Sequence, residues 1–273
     1  VSLVALPGLI GADEISAKSA DALNPSPLGF TLESGDPARI EAVQQGGARV
    51  QDQGSQLVAL ALSRFGSAGK NETWADFCAG PGGKAALLGA EARLAGATLE
   101  CTEVSEHRTR LVKQALSAVL DAGANIKVRS GDSREIGEQT PNRFDRIMLD
   151  APCSGLGALR RRPEARWRKS SRDIAELNRL QLELLESAVD AAKLGGVIAY
   201  VTCSPHLAET TAIVDAALKR HPDLELLDSN EVLSQINPAL ELNRSRKTTQ
   251  LWPHVHGTDA MFIALLRKGK SAK

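Results

Sequence analysis

The sequence predicts an α/β fold: one doubly wound, mostly parallel sheet preceded by a small N-terminal appendage. Three observations carry that prediction. Strand-like runs repeatedly end in an acid or a glycine and are followed by helical periodicity, as parallel βαβ units require. A glycine-rich loop follows the first strand of the regular region and opens a helix. The composition is that of an ordinary globular chain of 273 residues, 42% hydrophobic and 24% charged, which allows a sizeable core and argues against disordered, collagenous and membrane classes.

Residues 1–50 read weakly. The apolar start VSLVALPGLI lacks a basic leader, is interrupted by Pro7 and is followed by Asp13 and Glu14, so it is expected in a core and not in a signal peptide. A short helix is expected after Asp36-Pro37, and Gly46-Gly47 breaks the chain before Ala48-Arg49-Val50. The division is an appendage over 1–50 and a main domain over 51–273. In the latter, Thr73–Phe77 is a strand leading to a helix over Lys84–Leu94, and Ala97–Cys101 is a strand running up to Glu103. The helix Ser105–Asp121 carries Leu111, Val112, Ala115, Leu116, Val119 and Leu120 at helical spacing, with Gly123 as its C-cap. Ile126–Val128 leads to Asp132, and Phe144–Leu149 runs into Asp150. A long helix starts near Ser171, with Asp173 in its first turn and Ile174, Leu177, Leu180, Leu184 and Ala188 as its buried stripe. Val197–Val201 follows Gly195-Gly196. Leu224–Leu227 and Met261–Leu266, with no convincing helix between them, read as an antiparallel pair closing the edge of a seven-stranded sheet. A basic tail, Arg267–Lys273, follows.

In an open α/β sheet, ligands bind outside the carboxyl ends of the strands. Four acids fall there in succession: Asp76, Glu103, Asp132 and Asp150. The bland reading of any one of them is an N-cap or a solvated carboxylate. The loop Cys78-Ala79-Gly80-Pro81-Gly82-Gly83-Lys84-Ala85 matches G-x-G-x-x-G/A from Gly80, and Gly80, Gly82 and Gly83 would let backbone approach a ligand closely. Glu103 lies roughly twenty positions on, where a ribose-binding acid is expected. It would bridge both ribose hydroxyls, Asp132 would accept from the adenine amino group, and Asp150 would face the reacting centre. This pattern alone does not separate NAD from another adenosine cofactor, so an NAD(P)-dependent oxidoreductase stands as an alternative.

The four cysteines, Cys78, Cys101, Cys153 and Cys203, include no Cys-x-x-Cys pair, which argues against zinc, and a disulfide framework is not expected at this chain length. A reducing cytoplasm is the expected location, and no membrane segment is expected. Cys78 and Cys101 read as small buried hydrophobes. Cys153 and Cys203 stand in polar, proline-stiffened turns just past predicted strands, in Asp150-Ala151-Pro152-Cys153 and Thr202-Cys203-Ser204-Pro205, and suit covalent chemistry. The chain carries 33 Lys and Arg against 33 Asp and Glu, which excludes a globally basic coat but leaves room for a local stripe. Arg160–Arg172 supplies one, with six Arg, Lys169 and Trp167. Its plain reading is a solvated face; beside the Cys153 turn it suits phosphate contacts and base stacking on RNA.

On DFCAGPGGK (76–84), Glu103 with Arg108, Gly131-Asp132, DAPCSG (150–155), RRRPEARW (160–167), TCS (202–204), Asp259-x-Met261-Phe262 and Val50-Gln51-Asp52-Gln53-Gly54-Ser55, the sequence resembles the RNA (cytosine-5) methyltransferases of the Sun and nucleolar-protein type, above all their bacterial branch acting on small-subunit ribosomal RNA. The resemblance covers most of the chain. It implies a class I methyltransferase (Rossmann-like) domain using S-adenosyl-L-methionine, with no metal, in a monomer. It implies Cys203 as the thiol that adds to cytosine, Cys153 as the thiol that aids release, and Asp150 with Lys84 beside them. The cofactor would lie against Cys78, Ala79, Gly80, Pro81, Gly82, Gly83, Lys84, Glu103, Arg108, Asp132 and Asp150. RNA would meet Arg160, Arg161, Arg162, Arg166, Trp167 and Arg168. Ser204-Pro205 is expected to open a helix whose N-terminus, with Lys84, favours the Cys203 thiolate. Gly80, Ala85 and Thr210-Thr211 depart from the common family residues and are expected to touch only helix starts. The family also places a helical RNA-binding domain ahead of the appendage, for which this chain has no room; the chain begins at Val, as a piece of a longer protein would. An inactive RNA-binding scaffold is a third reading.

Overall fold

The structure, a computed structural model, describes residues 1–11, 15, 24–167 and 170–269. The elements of the appendage are β1 (Ser2–Ala5), β2 (Gly29–Thr31), α1 (Glu41–Gln44) and β3 (Ala48–Val50). The three strands form an antiparallel sheet in the order β2-β1-β3. Leu3 and Ala5 of the apolar start enter its small core with Ile15, Phe30, Ala42 and Ala48, whereas Val4 and Leu6 pack into the core of the main domain.

The main domain continues with α2 (Gln53–Ser63), β4 (Thr73–Asp76), α3 (Gly83–Ala95), β5 (Thr98–Glu103), α4 (Glu106–Asp121), β6 (Asn125–Ser130), α5 (Ile136–Gln139) and β7 (Phe144–Asp150). Then follow α6 (Ser171–Ala191), β8 (Ala192–Thr202), α7 (Thr211–Arg220), β9 (Leu224–Leu227), α8 (Ser229–Ile236), β10 (Thr249–Gln250), α9 (Pro253–His256) and β11 (Phe262–Lys268). Strands β8, β7, β4, β5 and β6 lie side by side and parallel. β11 pairs antiparallel with β8, and β9 pairs antiparallel with β11. The expected doubly wound sheet with an antiparallel edge is therefore present.

Two details differ from the sequence reading. The sheet has eight strands: β9 covers only one end of the longer β11, and the two-residue β10 covers Phe262 and Ile263 at the other. A helix, α8, does stand between β9 and β11; it is short, and Asp228 caps it by accepting from the Asn230 amide at 2.9 Å. β8 shows why the sheet is buried on both faces. Val197, Ala199 and Val201 enter one core with Leu57, Leu87, Val112 and Leu233, whereas Ile198 and Tyr200 enter the other with Leu185 and Val214. The long helix α6 begins as expected, with a reciprocal cap between Ser170 and Asp173. Its stripe is buried at Leu184 and Ala188 but only half-buried at Ile174, Leu177 and Leu180, because its first half overhangs the strand ends. Among the described residues, no helix is long and apolar enough to cross a membrane.

The glycine loop joins β4 to α3. Gly82 has φ +107° and caps α3, and a Cβ there would overlap the Cβ of Ala115 on α4 and come within 3.1 Å of the Val112 Cα. Close packing of α3 on α4, and not a ligand, is what excludes a side chain at this position. Around Gly83 the space is open. Gly82→Ala is therefore expected to cost roughly 2–4 kcal/mol by urea denaturation, and Gly83→Ala to leave the midpoint nearly unchanged.

Candidate active site

The carboxyl ends of β7, β4, β5 and β6 place Asp150, Asp76, Glu103 and Asp132 along one edge in that spatial order. Lys84, on the first turn of α3, reaches across from β4 to β7 and binds Asp150 Oδ2 at 2.8 Å through its Nζ. Glu103 is buried at the end of β5 and accepts from the Gly80 and Ser105 amides, both at 3.0 Å. Arg108 lies against it, its Nη1 3.6 Å from Oε2, while its Nη2 donates to the Gly80 carbonyl. A Cβ at Gly80 would overlap the Glu103 carboxylate, so this departure from the family touches Glu103 and not a helix start. Asp132 caps a short 3-10 turn and is gripped by Arg134, whose Nη2 lies 2.6 Å from Oδ2. The Arg134 hydrogen bonds hold that carboxylate below its ordinary range. A pocket of about 190 Å³ opens between these acids, walled by Phe77, Val104, Pro152, Leu180 and Leu184.

Asp76 is the residue whose importance the sequence understated. It is 1% exposed, and neither carboxylate oxygen has a hydrogen-bond partner of good geometry. Burial, then the neighbouring Asp150, push its carboxyl up to about 7, with Lys84 opposing. An unpartnered buried acid beside Asp150 and Glu103 suits a cationic ligand.

The turns after β7 and β8 bring the two thiols together, Cys153 Sγ lying 3.4 Å from Cys203 Sγ. Either sulfur can donate to the other across this contact; with the Cys153 thiol as donor, Cys203 lies below an ordinary thiol and Cys153 well above one. Burial and Asp150 act against the Cys203 thiolate, and Lys84 assists it. The expected helix start at Pro205 is absent. His206 caps a 3-10 turn over Leu207–Glu209, and α7 begins only at Thr211, so support for the thiolate comes from Cys153 and Lys84. Cys78 lines the pocket with its thiol pushed up by burial, and Cys101 is buried in β5. Among the described residues, no group of three or more His, Cys, Asp or Glu could hold a metal.

A sequence model of the family described as 16S rRNA methyltransferase RsmB/F matches residues 67–267. The chain belongs to this family. A provisionally named methyltransferase of Mycobacterium tuberculosis is 45% identical over 98% of this chain and 56% of its own length. The 25S rRNA (cytosine-C5) methyltransferase nop2 of Schizosaccharomyces pombe is 33% identical over 72% of this chain and 34% of its own. The crystal structure of PH0851 superposes with a TM-score of 0.81 at 26% identity, covering 98% of this chain and 59% of that one. The chain thus spans about half the length of the curated relatives it matches.

In this RsmB/F-family chain the basic stripe divides in two. Arg160 and Arg161 are each ion-paired within the chain while staying partly exposed. Arg160 Nε donates to Asp259 Oδ1 at 2.9 Å and its Nη2 to Asp52, while Arg161 donates to Asp259. Asp52 and Asp259 are both buried, and Asp52 also caps α2 and accepts the Asp259 amide at 3.0 Å. The family segments at 50–55 and 259–262 thus serve as a clamp on the 160–161 loop. Arg162 and Arg166 remain exposed, and Arg166 lies 4.7 Å over the ring of Trp167, itself 79% exposed. Arg168 lies outside the described residues.

Two outcomes follow. Arg160→Ala removes the one cation on Asp52 and one of two on Asp259, leaving Asp52 its amide donors and Asp259 its Arg161 partner, and is expected to cost roughly 1–2 kcal/mol in urea denaturation, after allowance for its partial exposure, while Arg162→Ala leaves the midpoint unmoved. For Asp76, the folded carboxyl at about 7 stands above its unfolded value of 3.8. The native chain therefore holds the extra proton in that window, and stability falls as pH rises through it. Asp76→Asn removes the titration, so its stability relative to wild type should rise by roughly 2–3 kcal/mol between pH 5 and pH 8. A difference that stays constant with pH rejects the assignment.

Proposed function

We propose that this chain carries out transfer of a methyl group from S-adenosylmethionine to carbon 5 of cytosine in RNA, with ribosomal RNA as the substrate class and the cytoplasm as the location. The observation that carries the reading is the thiol pair, Cys153 and Cys203 at 3.4 Å, on the same strand-end edge as the pocket lined by Glu103 and Asp132. Family membership and the cytosine-C5 activity in the name of the fission-yeast relative support it. The family match and the methyltransferase relatives, not the thiol pair itself, weigh against an oxidoreductase.

The pocket fits the cofactor on its own evidence. Glu103 and Asp132 offer acceptors to a ribose and an adenine amino group and the apolar walls suit a base; buried Asp76, at the end of the strand beside Glu103 and outside the pocket lining, suits a cationic group nearby. Bound there, S-adenosylmethionine supplies an electrophilic methyl on a sulfonium. Carbon 5 of cytosine is a poor nucleophile, so the ring must first be activated. The Cys203 thiolate adds to carbon 6, forming a carbon–sulfur bond and turning the ring into an enamine nucleophilic at carbon 5. Asp150, anchored by Lys84, holds ring nitrogen 3 or the exocyclic amine as charge develops. After methylation the proton on carbon 5 must leave with re-formation of the ring double bond and expulsion of Cys203. Cys153 lies 3.4 Å from the departing sulfur; once Cys203 is alkylated, Cys153 gives up its own proton to solvent, and its thiolate then takes the carbon-5 proton. The mechanism uses no metal, and a monomer contains all of these groups. Arg162, Arg166 and Trp167 form the RNA-facing group, and the appendage over 1–50 flanks the substrate as a partial RNA-binding unit.

Incubation with labelled S-adenosylmethionine and ribosomal RNA, followed by digestion to nucleosides, is expected to give labelled 5-methylcytidine; label in a different nucleoside rejects the reading. Cys203→Ala should lose both methylation and any covalent RNA adduct. Cys153→Ala should retain addition, stall release, and accumulate an adduct that survives denaturing electrophoresis. The opposite pattern would reverse the two roles.

A further inference from the structure

Cys153 and Cys203 are each followed by a serine, and both serines turn onto one buried carboxylate. Glu209 is 0% exposed and ends the 3-10 turn after Cys203. Its Oε2 accepts from Ser154 Oγ at 2.5 Å and from Ser204 Oγ at 2.6 Å. Its Oε1 accepts from the Ser154 amide at 2.7 Å and from Gln181 Nε2, on α6, at 3.3 Å. The Tyr200 hydroxyl donates to the Glu209 carbonyl at 2.8 Å and fixes the turn to β8. A carboxylate withdrawn from water needs donors on both oxygens, and those here come from the two thiol-bearing turns and the helix behind them.

Each serine hydroxyl has one proton. With both directed at Oε2, the 3.3 Å contact between Ser154 Oγ and Ser204 Oγ results from sharing that oxygen and is not a separate bond. Each serine oxygen also accepts from its own loop, Ser204 from the His206 amide at 3.1 Å and Ser154 from the Leu156 amide at 3.5 Å. The β7–β8 ladder ends at Asp150 and Val201. Past it the turns are joined by the Gly157 amide on the Cys203 carbonyl at 2.9 Å and by this carboxylate, one residue beyond each thiol.

We propose, on the basis of the reaction above, that Glu209 is a positioning residue: by gathering Ser154 and Ser204 it holds the Cys153 thiol in hydrogen-bond contact with the attacking sulfur of Cys203. The groups facing Cys203 are Cys153 and Asp150 from the β7 side, Lys84 from α3, Asp259 from the turn before β11, and Arg161. Loosening the two turns removes the Cys153 donor while burial, Asp150 and Asp259 remain, so the thiolate loses its largest support.

Alkylation of the intact chain by iodoacetamide across pH, with the modified cysteine located by peptide mass spectrometry, tests this without RNA or cofactor. The wild-type midpoint at Cys203 should lie below the free-thiol value of about 8.5. Glu209→Gln, which replaces one of the two acceptor oxygens by a donor, should raise that midpoint by about one unit and slow alkylation at pH 7 by about tenfold. A folded Glu209→Gln chain with an unmoved midpoint, or a wild-type midpoint at the free-thiol value, overturns the proposal. Should Glu209→Gln fail to fold, the Ser154→Ala/Ser204→Ala double variant removes the same hydroxyl donors, and its midpoint decides in the same way. Loss of 5-methylcytidine formation in the wild type with the midpoint shift intact would reject the reaction and leave the positioning role standing.

Discussion

Everything at this site depends on β7 lying parallel beside β8, with Asp150 opposite Val201. Parallel strands leave a sheet at the same edge, so the turns that follow them are neighbours even though their cysteines are fifty residues apart. β4 pairs with β7 on the other side, Asp76 opposite Met148, and so delivers Lys84 on α3 to Asp150. β11 runs antiparallel on the far side of β8 and brings Asp259 to the Arg160–Arg161 loop. The strand order β11-β8-β7-β4-β5-β6 is therefore also the order of the chemistry across the edge: arginine clamp, Cys203, Cys153 with Asp150, Asp76 with Lys84, Glu103 and Asp132.

That arrangement sets two electrostatic demands against each other. Lys84 and Asp150 neutralise one another, while Asp76 has no partner and Glu103 is held chiefly by amides. The edge is thus poised for a cation, which suits the sulfonium cofactor proposed for it. The same excess of acid opposes a thiolate, since Asp150 and Asp259 both act against ionisation of Cys203. A neutral donor resolves the conflict, because the Cys153 thiol stabilises the Cys203 thiolate by a hydrogen bond without adding a positive charge that would repel the cofactor.

The sequence made the alternation of strands and helices legible because β8 and its neighbours carry period-two patterns and α3, α4 and α6 carry helical ones, each within a single short window. The four acids were placed correctly for the same reason: each sits at the end of such a window. What was not legible depends on partners distant in the chain. Arg160 looks like a phosphate ligand until Asp52 and Asp259, from opposite ends of the domain, are seen to grip it. That Gly82 must lack a side chain for α4 to pack against it shows only in three dimensions. Pro205 suggests a helix start, but Glu209 draws the following turn inward to Ser154 and Ser204 and delays α7 to Thr211. The short helix α8 was missed because eight residues carry too little periodicity to stand out.

The choice of a thiol as the supporting donor also bears on turnover. Thiolate nucleophilicity falls as pKa falls, so strong stabilisation of Cys203 by a helix terminus or an unshared lysine would increase the thiolate fraction while dulling its attack. The S–H group is a weak donor, and its effect here is partly opposed by burial and Asp150. Once Cys203 is bonded to carbon 6, its sulfur no longer carries the charge that held the Cys153 proton. Cys153 is then free to lose its proton to solvent and become a thiolate, at the stage when a base is needed beside the sulfur that must leave. A fixed helix terminus could not change roles in that way, whereas two thiols held at 3.4 Å can, and the Ser154–Glu209–Ser204 connection is what keeps them at that separation through both steps.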